Sequence, residues 1–514
     1  MDIKAAMLDA EEQRRQQRWH RLGLVAAPLL AAAALLLAPD NMSPRAARLM
    51  AVLAATFPLW LTEALPVGVT ALAAASAAVV LGIADTQTIF APFSHPTIWL
   101  LLAAFLFGAI AQWRQLDRVF ILGFFTARRT RLHDLGTAIA VAAFALSTWL
   151  PNRASVALLS YVVTAQDERF GKSFQRLGLS SVAFASALGG LVLPIGAPAN
   201  LIAIAALSQY DGREFPLLYW TLVAAPLAAL LLAAWLVVVR VILGADGAQL
   251  VHGDLRVTEL PLGGHRRVRP PTTKMLRTAD LPAFALGLDR SQFALAVVLC
   301  ATLLLWSVPG VMRLLGLQSA GLEAALAPAP VALLLVAVLF ALPAARRKDS
   351  EAKADPVASW QVAERIDWDV ILLVGSALAL GHQTIDTGLS HWLGDLATRG
   401  LRVQSVTGLT WLLTGLALVM TQITSAAVTA AICAPLAVVM AQQTGASPVA
   451  PCLAVGMAAS FGLMLPMSDE CNLIVWKTGR FHRMQLFKRG LVGLTAAILT
   501  IPPLTLLAAR ILGV

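Results

Sequence analysis

The sequence predicts an all-α polytopic membrane protein of about 11 transmembrane segments, built as two inverted-topology repeats, each with a re-entrant hairpin and a broken helix. Three observations carry that prediction. Hydrophobic residues make up 58% of the 514 and charged residues only 13%, with a mean hydropathy of +0.74, whereas a soluble domain carries about 25% charged residues. Several apolar pieces are half the roughly 20 residues that a helix needs to cross ~30 Å of hydrocarbon. Lys and Arg are concentrated in alternate links.

Residues 1–45 are read as a cytoplasmic N-terminus and a first helix, Leu22–Ala38. Met1–Arg21 is polar, without the short apolar core and small-residue cleavage site of a leader, so no cleaved signal peptide is expected. The first repeat, 46–243, opens with Ala46–Leu65 and Val67–Ile83, separated by Pro66. Thr97–Trp113 runs into a basic amphipathic stretch, Arg114–Arg131, suited to the membrane surface. A hairpin is placed at 134–163, where Leu135–Leu146 and Val156–Val163 flank Pro151-Asn152-Arg153. The segment 177–208 is apolar but broken between Leu193 and Asn200 by Pro194, Gly196 and Pro198, and Leu217–Leu243 closes the repeat.

A hydrophilic linker, 244–291, has no apolar periodicity and reads as a cytoplasmic connection. The second repeat, 292–514, contains Phe293–Leu315, Ala327–Leu342, a basic link Arg346–Asp367 and Trp368–Ile385. A second hairpin is placed at 405–441, with its tip at Thr421–Thr429. The segment 449–476 is broken between Leu465 and Asn472, and Leu491–Ile511 ends the chain. The halves match in detail: Thr97–Leu101 corresponds to Trp368–Leu372, and Gly196–Asn200 to Ser468–Asn472. Interrupted segments at matching places are the sequence signature of a secondary transporter with a midplane site.

With the N-terminus inside, the links 1–21, 113–132, 164–177, 239–291, 344–366 and 477–489 hold about 31 of the 39 Lys and Arg. The outer links hold Arg45, Arg48, Arg213, Arg313, Arg399 and Arg402. The net charge of +10 therefore reads as basic cytoplasmic loops rather than a nucleic-acid surface. The same asymmetry puts the first hairpin's entry on the cytoplasmic side and the second's outside, in a plasma or inner membrane. Cys300, Cys433, Cys452 and Cys471 lack metal-ligand spacing, so neither a zinc site nor a disulfide framework is expected.

Thr62-Glu63-Ala64-Leu65-Pro66, Leu463–Pro466 and Asn472 make the chain similar to the divalent anion/sodium symporter family, over about residues 46–510. The resemblance implies an elevator-type homodimer carrying dicarboxylates, tricarboxylates or sulfate. Its tip motif, Ser-Asn-Thr, reads Pro151-Asn152-Arg153 here and Ser425-Ala426-Ala427 at the second tip. Ser147, Asn152 and Gly196 match positions of the family's first sodium site and are the candidate sodium ligands; no other cofactor is expected. Thr421 and Ser425 remain as oxygen donors at the second tip, and Asp469 and Glu470 replace Thr and Pro of the family's second break.

Half-helix N-termini aimed at a midplane site favour a small anion, and Asn152, Arg153, Asn200, Thr424, Ser425 and Asn472 are the candidate substrate contacts. Ion coupling falls to Ser147, Asn152, Gly196, Thr421, Ser425, Asp469 and Glu470. Arg153 has two readings: a fixed charge replacing one sodium ion, which would favour sodium-independent exchange or proton coupling, or an ion pair with Asp469 or Glu470. The two acids read either as proton-coupling groups or as solvated residues at the cytoplasmic mouth. The asparagines alternatively cap half-helices, and the hydroxyls bond their own helix carbonyls. A cation/proton antiporter using Asp469 and Glu470 is the alternative function, against which Arg153 stands as a like charge. A channel remains open, and no metal cluster, nucleophile elbow or phosphate loop suggests an enzyme.

Overall fold

The computed structural model describes residues 3–40, 42–116, 129–164, 167–211, 215–243, 250–252, 290–317, 320–343, 356–395, 405–465, 468–480 and 483–512. Helix α1 (Ile3–Leu36) starts far before the expected Leu22, because the Ala, Glu, Gln and Arg of the polar N-terminus are good helix formers. It packs on α2 (Pro44–Thr62). The Ser43 hydroxyl accepts from Ala46 N at 3.1 Å to cap α2, and Pro44 supplies a first-turn φ. Glu63 ends that helix in the left-handed region, with φ 48°. Pro66 then separates α2 from α3 (Val67–Val80).

A short α4 (Thr86–Phe90) leads to α5 (Pro96–Trp113). His95 caps α5 by accepting from Thr97 N at 3.3 Å. The first hairpin is α6 (Leu132–Trp149) followed by α7 (Asn152–Thr164). Helix α8 (Asp167–Val192) stops at a 3-10 turn, Pro194–Gly196, before α9 (Pro198–Asp211) and α10 (Leu217–Leu243). The second half runs through α11 (Arg290–Leu314), α12 (Ala320–Ala325), α13 (Pro328–Ala341), α14 (Trp368–Asp386) and α15 (Leu389–Asp395). Its hairpin is α16 (Val406–Met420) with α17 (Ala426–Gln443). Helix α18 (Val449–Ala459) ends six residues before the expected break at Leu465, α19 is Glu470–Lys477, and α20 (Arg483–Leu512) closes the chain.

Within the stretches read as an interfacial helix and a structureless linker, β1 (Arg129–Arg131) pairs antiparallel with β2 (Leu250–His252), Thr130 opposite Val251. The remainder of the interfacial stretch from 117 on, and of the linker up to 289, lies outside the described residues. Among the described residues, eight helices are long and apolar enough to cross a membrane, while α3, α6, α16 and α18 are apolar but shorter.

Two sets of helix contacts stand out, and α14 joins them by packing on α17 as well as on α3. Helices α6 and α7 lie on α8, α16 lies on α18, and α9 lies on both α17 and α18. Helix α19 packs against α7, so each half-helix after a break rests on the hairpin of the other half. The second set joins α2 to α3, α3 to α14, and α5 and α11 to α13. Small residues let backbones approach where no hydrophobic force separates helix from lipid. At Gly456 of α18, an added Cβ would lie 2.6 Å from Ala203 Cβ and 2.9 Å from the fully buried Trp220 ring. That ring is itself fixed, since its indole N–H donates to Leu191 O at 2.8 Å.

Gly456→Ala is therefore expected to destabilise the folded protein by about 1–3 kcal/mol through overpacking, read as a lower thermal midpoint in detergent. Gly415→Ala, with nothing within 4 Å of its added Cβ, serves as the comparison and should leave the midpoint unchanged or raise it.

Candidate functional site

Each helix break begins with a chemical deficit. The carbonyl of Gly190 would accept from the residue four places on in a continuous helix, but that residue is Pro194, which has no N–H. Gly462 stands in the same relation to Pro466. A buried carbonyl left unpaired costs about 1–3 kcal/mol, and at membrane depth no water replaces the donor. Asn200 Nδ2 donates to Gly190 O at 2.8 Å and to Leu193 O at 3.0 Å. Asn472 Nδ2 donates to Gly462 O at 2.8 Å and Leu465 O at 3.3 Å. Both asparagines reach back ten and seven residues. Ser468 reinforces the second break, its hydroxyl shared between Gly462 O and Leu465 O at 2.7 Å each.

An amide nitrogen has two hydrogens, and in both asparagines the two are engaged at the breaks. Of the two roles open to Asn200 and Asn472, contact with an anion or support of the turn, their N–H groups here take the second and close the backbone. What Asn200 has left is an acceptor, for Oδ1 is buried without a hydrogen-bond partner.

The first tip folds onto the same place. The Asn152 side chain lies over Gly190, where an added Cβ would fall 2.4 Å from Asn152 Oδ1. A Cβ on Gly196 would fall 2.5 Å from Gly190 O, and one on Gly189 3.0 Å from Ser147 Cβ. Only glycines permit this convergence of Ser147, Asn152, Gly196 and Asn200. Ser147 Oγ and Asn152 Oδ1 are, like Asn200 Oδ1, buried without a partner. Thr148 by contrast bonds its own helix at Phe144 O, 2.9 Å away.

At the second tip most polar atoms are engaged. Thr421 Oγ1 donates to Ala459 O at 2.5 Å, and Ser425 caps α17 by accepting from Val428 N at 3.3 Å. Gln422, which the sequence reading did not single out, fastens the tip to the break. Its Nε2 donates to Leu418 O (2.9 Å) and Phe461 O (2.8 Å), and its Oε1 accepts from Met464 N (3.0 Å). A glutamine inside a re-entrant apolar tip was the available signal. Thr424 Oγ1, Thr429 Oγ1 and Ser460 Oγ are buried without partners.

Charge enters through Arg153, on the first turn of α7. Its side chain is 53% exposed, and Nη2 stands 3.9 Å from Asp367 Oδ2, an acid that the sequence reading left in a basic link. Asp469, half-buried, is the N-cap residue of α19, which Glu470 opens; the Glu470 side chain lies outside the described residues. Among the described residues no group of three His, Cys, Asp or Glu forms a metal cluster.

Two cavities lie away from the tips, around the far end of α9. One, of about 320 Å³, is lined by His95, Thr97, Ser208, Gln209, Phe215 and Pro328. Burial there pushes the His95 imidazole below its ordinary value. The other, of about 120 Å³, is bordered by Gln209, Tyr210, Pro435, Gln442 and His382, whose Nδ1 lies 2.7 Å from Asp386 Oδ2.

Comparison with known proteins places these features in a family context. The citrate transporter family (CitMHS) matches residues 57–451. A sodium-dependent dicarboxylate transporter of Staphylococcus saprophyticus is 24% identical over 511 residues, covering 96% of this chain and 92% of its own. The sodium-dependent high-affinity dicarboxylate transporter 3 of Caenorhabditis elegans is 26% identical over 479 residues, covering 86% and 80%. In fold the chain is similar to the YdaH transporter of Alcanivorax borkumensis, with a TM-score of 0.51 at 15% identity over 83% of this chain and 88% of that one.

Replacing Asn200 by Ala leaves the carbonyls of Gly190 and Leu193 without their donor. About 1–3 kcal/mol per orphaned carbonyl is the expected cost, and the thermal midpoint of purified Asn200→Ala should fall clearly below wild type. Asn472→Ala should fall less, because Ser468 still donates at the second break.

Proposed function

Because the chain belongs to the citrate transporter family, we propose that it moves small divalent carboxylates across the membrane as a secondary transporter. Its family and relatives are transporters, not enzymes. The observation that carries the reading is the pairing of two proline-broken helices with two hairpin tips. Their half-helix N-termini, at α7, α9, α17 and α19, gather partly positive ends and backbone N–H groups suited to an anion. Asn152, Thr424 and Ser425 complete the substrate contacts, and Arg153 supplies a guanidinium fork matched to a carboxylate.

The donor chemistry supports one sodium ion rather than two. At the first tip Ser147 Oγ, Asn152 Oδ1 and Asn200 Oδ1 are buried oxygens without partners, and beside Gly196 they form a set fitted to a hard cation that takes oxygen ligands. At the second tip Thr421 and Ser425 already serve the backbone, and the oxygens left over, of Thr424, Thr429 and Ser460, are hydroxyls with no carboxamide oxygen among them. Sodium at the first tip would supply positive charge beside the dianion; Arg153 supplies permanently what a second ion would. A sodium-indifferent exchanger, the reading from the altered motifs alone, is thereby narrowed to a one-sodium carrier. Asp469, at the head of α19, is the residue through which protons would enter the coupling.

The same reading includes two inverted repeats at 46–243 and 292–514. The hairpins and broken helices would move as an elevator against a scaffold of the remaining helices. The protein would act as a homodimer in the plasma or inner membrane, with the N-terminus in the cytoplasm.

Labelled succinate, citrate and sulfate, offered to proteoliposomes with sodium, with potassium alone, or under a proton gradient, test the function. Sodium-stimulated succinate uptake is expected. Arg153→Ala should weaken succinate affinity about tenfold or more, as loss of a charge-assisted contact does; unchanged affinity would remove Arg153 from the substrate site.

A further inference from the structure

Arg153 faces a carboxylate that is already part of the protein. Asp367 sits at the head of α14, where its Oδ1 accepts from Val370 N at 3.4 Å while its Oδ2 points to Arg153 Nη2 at 3.9 Å. The head of α14 is anchored to other helices. Asp369 Oδ1 accepts from Gly68 N of α3 at 3.1 Å, and Ser376 Oγ donates to Ala71 O at 2.8 Å. The 3-10 turn before it, Trp360–Arg365, is clasped by the end of α5. There Arg114 Nε donates to Val357 O at 2.6 Å and the Arg365 guanidinium covers the Trp113 ring at 5.1 Å.

Arg153 lies on a different element, the first hairpin, which packs on α8 and whose Asn152 is packed on Gly190. The neighbouring Pro151 touches α5 at Gly108, where an added Cβ would fall 3.1 Å from the proline ring. The ion pair therefore links the first hairpin to α14, which packs on α3 and on α17 of the second hairpin. It is long, with 53% and 32% of the two side chains exposed, so each charge is reachable by a solute and neither is locked to the other.

We infer that Asp367 is a resident competitor for Arg153: in the empty protein it occupies the guanidinium that a substrate carboxylate takes over. This rests on the proposed role of Arg153 as a substrate contact. The exchange swaps one carboxylate for another, so the guanidinium has a carboxylate partner with and without substrate. It also ties the hairpin to α14 when no substrate is present and frees it when a dianion binds. Asp367 thus sets the apparent affinity for carboxylates and resists movement of the empty carrier.

Equilibrium binding of labelled succinate to purified full-length protein provides the test, with Asp367→Asn as the variant, because Asn retains the N-cap of α14. Removing the competitor should tighten succinate binding about two- to fivefold, the scale of an exposed ion pair, with an unchanged thermal midpoint. Combined with Arg153→Ala, Asp367→Asn should have no further effect. Should Asp367→Asn fail to fold, Asp367→Ser keeps a capping oxygen and gives the same readout. Wild-type binding with no tightening in the Asp367 variant, or equal tightening in the Arg153→Ala background, overturns this inference alone. Absence of succinate, citrate and sulfate binding by wild type overturns the underlying substrate reading and this inference with it.

Discussion

The carbonyl oxygens of Gly190 and Gly462 at the two breaks are the constraint on which the rest depends. A helix can be broken at membrane depth only if the backbone groups released by the break find donors within the protein. Asn200 and Asn472 are those donors, each reaching back ten residues to a glycine carbonyl. Once each break is closed by a side chain from its own second half, the half-helix N-termini are held in fixed places. Each second half-helix then packs on the hairpin of the opposite half. The convergence at each tip follows from this, because Gly190 and Gly462 leave no room for a side chain where the tip backbone or Asn152 arrives.

The two breaks share their geometry but differ in what they leave unpaired. In the first, Ser147, Asn152 and Asn200 each present an oxygen with no partner, two of them carboxamide oxygens; in the second, Thr421, Ser425 and Gln422 are drawn into the backbone, and the unpartnered oxygens of Thr424, Thr429 and Ser460 are all hydroxyls. That difference, with Arg153 on the first turn of α7, makes the two tips chemically unequal.

Much of this was legible in the sequence, because helix breaking in lipid needs proline and a nearby polar donor, and both are visible as Pro194 with Asn200 and Pro466 with Asn472. The hairpins were legible by length alone. Direction was not: spacing does not say whether Asn200 turns its amide toward a ligand or toward Gly190. The second break begins at Ser460 rather than Leu465 because Gln422, from the hairpin, supports the released backbone at Phe461 and Met464, and a tertiary donor leaves no local signal. Asp367 was hidden for the same reason. Among Arg346, Arg347, Lys348 and Lys353 it reads as one charge in a basic link, and only the packing of α5 against the turn before α14 brings it to the first tip.

The central claim is one sodium site and one fixed cation beside a divalent carboxylate, and the sodium dependence of succinate affinity tests it most directly. Titration calorimetry of the purified protein across sodium concentrations, at constant ionic strength, gives the number of ions taken up with each succinate. The arrangement at Ser147, Asn152, Asn200 and Arg153 predicts a single sodium per succinate. Affinity indifferent to sodium, or rising with two ions per succinate, would contradict it.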